Sequence, residues 1–173
     1  MTNENSSSPR VQTPVIIESP KSSVYPLGTK FPKLVSEESK IKIVPDTDVY
    51  LSAIIFGGNP RRVLKSARDK LVYAYTSTSI LLEVAEKLNQ KFHWEMDMVS
   101  KTIKVLSKIT EVIIPTIELD IVKKDPDDNK IIECALESEA NYIITGDKHL
   151  LDIKEFEGTK IITTGEFLKI IKA

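Results

Sequence analysis

From Ile41 onward, short apolar runs bounded by turn residues alternate with longer stretches in which apolar positions recur every three to four residues. The first pattern is that of buried strands and the second that of amphipathic helices. IKIVP, LVYAYT, EVIIP, NYIIT and KIITT predict strands. Between them, VYLSAIIF reads as an apolar helix stopped by Gly57-Gly58, and RRVLKSARDK as a second helix with Pro60 near its first turn. Ser77 or Thr78 is suited to cap the helix SILLEVAEKLNQKF. Residues 95–108 predict a helix with Met96, Val99, Ile103 and Leu106 on one face and Lys101, Lys104 and Lys108 on the other. KIIECALESEA and GEFLKIIKA follow as helices, the last with Thr163 or Thr164 near its N-cap. This order predicts an α/β fold, a mostly parallel central sheet with helices on both faces.

Residues 1–40 have a different texture. They hold five of the nine prolines (Pro9, Pro14, Pro20, Pro26 and Pro32), spaced so that no helix or central strand could run through them. The expected organisation is therefore a flexible Pro/Ser-rich extension over residues 1–40 and one folded domain over 41–173.

Composition adds limits rather than identity. At 173 residues the chain can bury a core without disulfides or a metal staple, and the lone Cys134 has no partner within it. Cys134 falls in the apolar pattern of a helix, as a core filler in an intracellular protein would. No stretch approaches the roughly 18 apolar residues of a membrane span. MTNENSSSPR lacks the apolar core of a signal peptide, so a cytoplasmic protein is expected. A formal net charge of −1 gives no global basic field, so any nucleic-acid contact must use local patches.

The chemistry lies in four acidic positions that follow or open apolar segments: Asp46, Glu83, Asp128 and Asp147. A carboxylate at the end of a buried strand or inside a packed helix is costly unless its charge is compensated. Asp46 and Asp147 follow strands directly, and so should emerge at the carboxyl edge of the sheet, where open α/β folds place their sites. Asp128 opens a helix near the same edge. Together the four suggest one pocket gathering carboxylates around divalent cations. Each also has an ordinary reading. Asp128 suits a helix N-cap, Glu83 a solvent-facing position with Glu86 as its substitute, and Asp147 the start of the turn Gly146-Asp147-Lys148.

IVPDTDVYLSAIIFGGNPRRVL, the spacing to TSTSILLEVAEKL, and DPDDNKIIECALESEANYIITGDKHLL together resemble the PIN-domain family. Within it, the chain resembles the VapC-like toxin components of prokaryotic toxin–antitoxin pairs over residues 41–172. The resemblance implies a three-layer α/β/α PIN-like fold with acidic metal ligands at Asp46, Glu83, Asp128 and Asp147. It makes Thr145 the hydroxyl residue before the last Asp, and gives Asp125 and Asp127 outer-shell roles. Two departures stand out. Asp48 occupies a place where family members usually carry Asn, and so could join the outer shell. Pro45, just before the first acidic position, removes a strand donor, which is tolerable at a strand's last residue.

The expected activity is that of a metal-dependent endoribonuclease hydrolysing RNA phosphodiester bonds. Hard oxygen ligands suit Mg2+ or Mn2+, which activate a water and offset charge on the phosphate. Arg61, Arg62, Lys65 and Arg68, after the GGNP turn, are candidates for phosphate contacts or simply the wet face of a helix. His93 and His149 read as surface residues. By resemblance, partners would be RNA, a cognate antitoxin and a second copy of the chain. Two rivals stand beside this reading. Asp46-Thr47-Asp48-Val49 also resembles the first motif of haloacid-dehalogenase-like phosphatases, with Asp46 as nucleophile and Asp48 as acid/base. A non-catalytic RNA-binding PIN domain is the other.

Overall fold

The computed structural model describes residues 40–121 and 128–172. All of the proposed extension except Lys40 lies outside the described residues, as do Asp125 and Asp127.

β1 (Lys42–Pro45) is a four-residue strand whose Ile43, Val44 and Pro45 are buried. It runs into α1 (Thr47–Ile55), with Asp46 in the N-cap place. This helix stops because the N–H groups of Phe56 and Gly57 both turn back to the Ser52 carbonyl, at 2.9 Å each, which takes Gly57 to a φ of 82°. A side chain is unfavourable there, so the glycine is the stop. α2 (Gly58–Arg68) follows, then β2 (Tyr73–Ser77) and α3 (Thr78–Gln90). Of the two residues suited to cap α3, Ser77 does so: its Oγ accepts from the Ile80 N–H at 3.3 Å.

α4 (Met96–Ile109) buries Val99 and Leu106, with Ile103 half-buried. Met96 does not join that face. It is 64% exposed. β3 (Glu111–Ile113), α5 (Asn129–Glu137) and β4 (Tyr142–Ile144) come next. Two elements went unpredicted: α6 (Lys148–Ile153) and β5 (Glu155–Phe156), the latter antiparallel to β6 (Thr159–Ile162). α7 (Thr164–Ile170) starts in a capping box in which Thr163 and Glu166 satisfy each other's backbone N–H groups.

The strands lie in the order β3-β2-β1-β4-β6-β5, all parallel except β5. Alternation along the strands splits the core in two. Ile43, Ala74 and Ile144 face one side with Val63 and Ala67 of α2 and Phe167 of α7. Val44, Ile143 and Ile161 face the other, with Val84 and Leu88 of α3, Leu106 of α4, and Ile131 and Cys134 of α5. Helices therefore cover both faces, and the three-layer α/β/α architecture with a mostly parallel sheet is the one expected. Among the described residues no helix is long and apolar enough to cross a membrane.

Candidate functional site

The chain leaves β1 outward through β2 and β3, then returns to lay β4 on the other side of β1. At such a reversal the connections diverge and leave a crevice at the carboxyl ends of the two central strands. Asp46 ends β1 there, and Thr145-Gly146-Asp147 ends β4. Two hydrogen bonds tie the two ends together, and a third braces the turn after β4. The Asp46 N–H donates to the Ile144 carbonyl at 2.9 Å, carrying the ladder one residue past Pro45. The Thr145 hydroxyl donates to Asp46 Oδ2 at 2.6 Å, and accepts from the Asp147 N–H at 2.9 Å. Thr145 is fully buried, so its hydroxyl has one orientation to offer and uses it to fix the Asp46 carboxylate.

Asp46 is only 5% exposed. Burial pushes its pKa up to about 6; the Thr145 hydrogen bond pulls it back in part, while the charges of Asp48 and Glu83 push it further up. A carboxylate so placed is short of positive charge.

Glu83, in the second turn of α3, turns into this crevice and is half-buried. Its Oε2 accepts from the Thr47 hydroxyl and from Lys130 Nζ at 3.0 Å, and its Oε1 faces Lys87 Nζ at 3.1 Å. Burial raises the Glu83 pKa, but the hydrogen bonds from Thr47, Lys130 and Lys87 more than reverse that and hold it below its usual value. Lys87 also reaches Asp48 Oδ1 at 3.2 Å. Glu83 rather than Glu86 makes these contacts; Glu86 stays exposed on the wall of a cavity of about 450 Å³ shared with Glu83, Lys87 and Lys130.

The remaining acids are placed as follows. Asp147 caps α6, its Oδ1 accepting from the N–H groups of His149 at 2.6 Å and Leu150 at 3.3 Å, so the expected turn is in fact a helix start. Asp128 holds the N-cap position of α5, and its side chain makes no capping hydrogen bond there. It stands two residues before Lys130, the α5 residue that reaches Glu83. The donor set of hard carboxylate oxygens suits a divalent cation, and the buried, like-charged Asp46 would gain from one. Among the described residues, no three acidic, histidine or cysteine side chains converge as a finished coordination shell. Glu83 is instead turned to ammonium groups.

The basic residues of α2 do not share one surface. Arg61 donates to the carbonyls of Ala53 at 3.0 Å and Ile54 at 3.4 Å, closing the end of α1. Arg61, Lys65 and Arg68 border an apolar groove between α1, α2 and α4, whereas Arg62 lies on the other flank beside Gly165 and Lys169 of α7. Lys65 and Arg68 both pair with Asp69. His93 and His149 are exposed, as expected.

Three residues of the site were not anticipated: Thr47, Lys87 and Lys130. Lys87 carried a signal, since it lies one helical turn beyond Glu83. Lys130 carried none, because its reach depends on how α5 packs against α3.

Comparison with known proteins bears on these features. Residues 42–149 match the family model described as PIN domain, a span that takes in Asp46, Glu83, Asp128 and Asp147. The chain is 37% identical over 124 residues to the uncharacterized protein MJ1680 of Methanocaldococcus jannaschii, covering 69% of this chain and 79% of that one. In fold it is similar to a chain of the crystal structure of VapBC2 from Rickettsia felis bound to a DNA fragment from their promoter. There the TM-score is 0.53 and the identity 13%, covering 71% of this chain and 98% of that chain. The phosphatase resemblance, carried by Asp46-Thr47-Asp48-Val49 and by Gly146-Asp147 with Asp152, gives Glu83 no role, whereas here Glu83 belongs to the same cluster as Asp46. By fold, by the order of its motifs and by the match across them, the chain belongs to the PIN-domain family.

Proposed function

We propose that this protein is a metal-dependent endoribonuclease that hydrolyses RNA phosphodiester bonds, and that it serves as the toxin of a toxin–antitoxin pair. The observation that carries the reading is the Asp46 carboxylate, buried at the β1/β4 switch point, fixed by Thr145 and set among the charges of Asp48 and Glu83. No stability argument accounts for a buried acid placed among other acids; a cation-binding task does. Asp46, Glu83, Asp128 and Asp147 would hold Mg2+ or Mn2+, with Asp48, Thr145, Asp125 and Asp127 around them. When bound, such an ion supplies an acidified attacking water and charge compensation at the phosphate. Thr145 orients the Asp46 carboxylate, the α6 N-terminus holds Asp147 in place, and Thr47 steers Glu83 inward. Arg61, Arg62, Lys65 and Arg68 are proposed for phosphate contact as two separate basic patches, Arg62 on the α7 flank and the other three at the α1/α2/α4 groove, where Arg61 also closes α1 and Lys65 and Arg68 pair with Asp69.

The likeness to a VapBC2 structure supports an antitoxin partner, and with it a cytoplasmic site of action. A homodimer is proposed on the family resemblance. The test is a fluorescent RNA incubated with the protein and Mg2+ or Mn2+. Cleavage by the wild type, stopped by EDTA and by Asp46→Ala or Asp147→Ala, is the expected result. RNA that is bound but left intact under every metal condition would instead make this a binding module.

A further inference from the structure

Glu83 does not wait with open oxygens. Lys130 Nζ lies 3.0 Å from its Oε2, and Lys87 Nζ lies 3.1 Å from its Oε1 and 3.2 Å from Asp48 Oδ1. The Lys130 and Glu83 side chains are 20% and 22% exposed, so this is not a solvent-screened surface pair. The cluster is built from three elements: α3 gives Glu83 and Lys87, α5 gives Lys130, and α1 gives Asp48 and the Thr47 hydroxyl. Two ammonium groups thus sit on the electron pairs that a divalent cation would need.

We infer that Lys87 and Lys130 are built-in counter-ions of the carboxylate site, positioning Glu83 and competing with a divalent cation for its oxygens. The inference rests on the metal-dependent reading above and concerns how that site is loaded. Without the lysines, Asp46, Asp48 and Glu83 would face one another uncompensated, a costly arrangement in a half-buried crevice. With them, the cluster is stable without a metal, and loading must displace ammonium groups from Glu83. Lys87 shares a helix with Glu83 at i+4 spacing and can swing toward solvent. Lys130 also borders a second cavity of about 210 Å³, lined by Ser77, Thr78, Ser79, Ile114 and Glu118, and so has somewhere to go. Both lysines are positioning residues, acting through Glu83.

The competition is measurable without any reaction. Free Mn2+ is followed by electron paramagnetic resonance during titration of the full chain, with no RNA present. Wild type is compared with Lys87→Met, Lys130→Met and the double variant, all of which keep the aliphatic stem. Lys101→Met is the control, since Lys101 pairs with Asp97 on the exposed face of α4. Loss of an ion pair that opposes binding should tighten Mn2+ affinity about five- to tenfold per lysine, with Lys101→Met unchanged. A wild type that binds no detectable Mn2+ beside a double variant that does would support the inference equally. Unchanged or weaker affinity in both lysine variants, or no binding by any protein, overturns it. Should a methionine variant fail to fold by circular dichroism, Lys87→Gln and Lys130→Gln are titrated instead. RNA cleavage, assayed separately, keeps the two readings apart. Chelator-sensitive cleavage with unmoved lysine-variant affinities sinks only the counter-ion inference, and tightened affinities without cleavage sink only the nuclease.

Discussion

At the scale of single residues, Asp46 and Thr145 form the pair on which the site turns. The folded-state pKa of Asp46, about 6, lies above the ordinary value of 3.8. A carboxyl group raised in this way stabilises the fold when protonated. Its contribution is fully present below about pH 4 and is lost as pH rises through about 6, a swing of about 3 kcal/mol. In EDTA, urea melts of the wild type between pH 4 and pH 7 should carry this loss, and Asp46→Asn should remove it. Glu83 has the opposite sign: its depressed pKa gives stability that is lost on acidification below its usual range. Comparing the two proteins at each pH isolates Asp46 from it. Equal pH slopes for wild type and variant would mean that the Asp46 carboxylate is solvated in solution. Thr145→Val tests the other half of the pair. It leaves the half-buried Asp147 N–H without its acceptor and the buried Asp46 carboxylate without its donor, at a cost of about 1–3 kcal/mol. Thr145→Ser should recover most of the lost melting temperature.

At the scale of elements, helix starts do two jobs at once. Asp147 is both the N-cap of α6 and a proposed ligand, and the two roles respond to different substitutions. Asn still accepts from the His149 and Leu150 N–H groups, so Asp147→Asn should melt within a few degrees of wild type while losing cleavage. Asp147→Ala should lose cleavage and about 1 kcal/mol besides. Parallel melting and cleavage assays read this split; two variants of equal stability would deny the cap. Ser77 plays a related part for α3, since its cap sets where the second turn, and therefore Glu83, projects. Thr47 completes the arrangement from α1. Helices that begin at the carboxyl edge of the sheet thus bring their first side chains to the crevice while their apolar stripes hold them to its face.

At the scale of the whole molecule, the reversal of strand order makes one crevice from segments a hundred residues apart in sequence. Two separate cores, one on each face of the sheet, hold it open. The core on the α2/α7 face is not in the site, so damage to it should lower stability without changing chemistry. Phe167 is fully buried there against Tyr142, with ring centroids 6.0 Å apart. Phe167→Ala should cost about 3–5 kcal/mol in denaturant melts. At temperatures where it remains folded, its cleavage per folded molecule should match the wild type. A specific loss of cleavage would show that the two faces are coupled through the sheet.

The amino-acid sequence by itself determined the alternation of strands and helices, because burial imprints a period of two on strands and of 3.6 on helices. It also determined which acids end strands, and hence that Asp46 and Asp147 leave the sheet at the same edge. α6 escaped it because six residues are too few to show a period, and β5 because two residues gain their strand character only from pairing with β6. Tertiary structure alone decided the company that Glu83 keeps. Lys130 lies 47 positions away, and no local pattern records that α5 and α3 bring the two within an ion pair. It likewise decided that Asp128 occupies a cap position without capping by its side chain. Local pattern fixes what each segment can become, because propensity and periodicity act between near neighbours. Which charges must compensate one another is settled only when packing removes the water between distant segments.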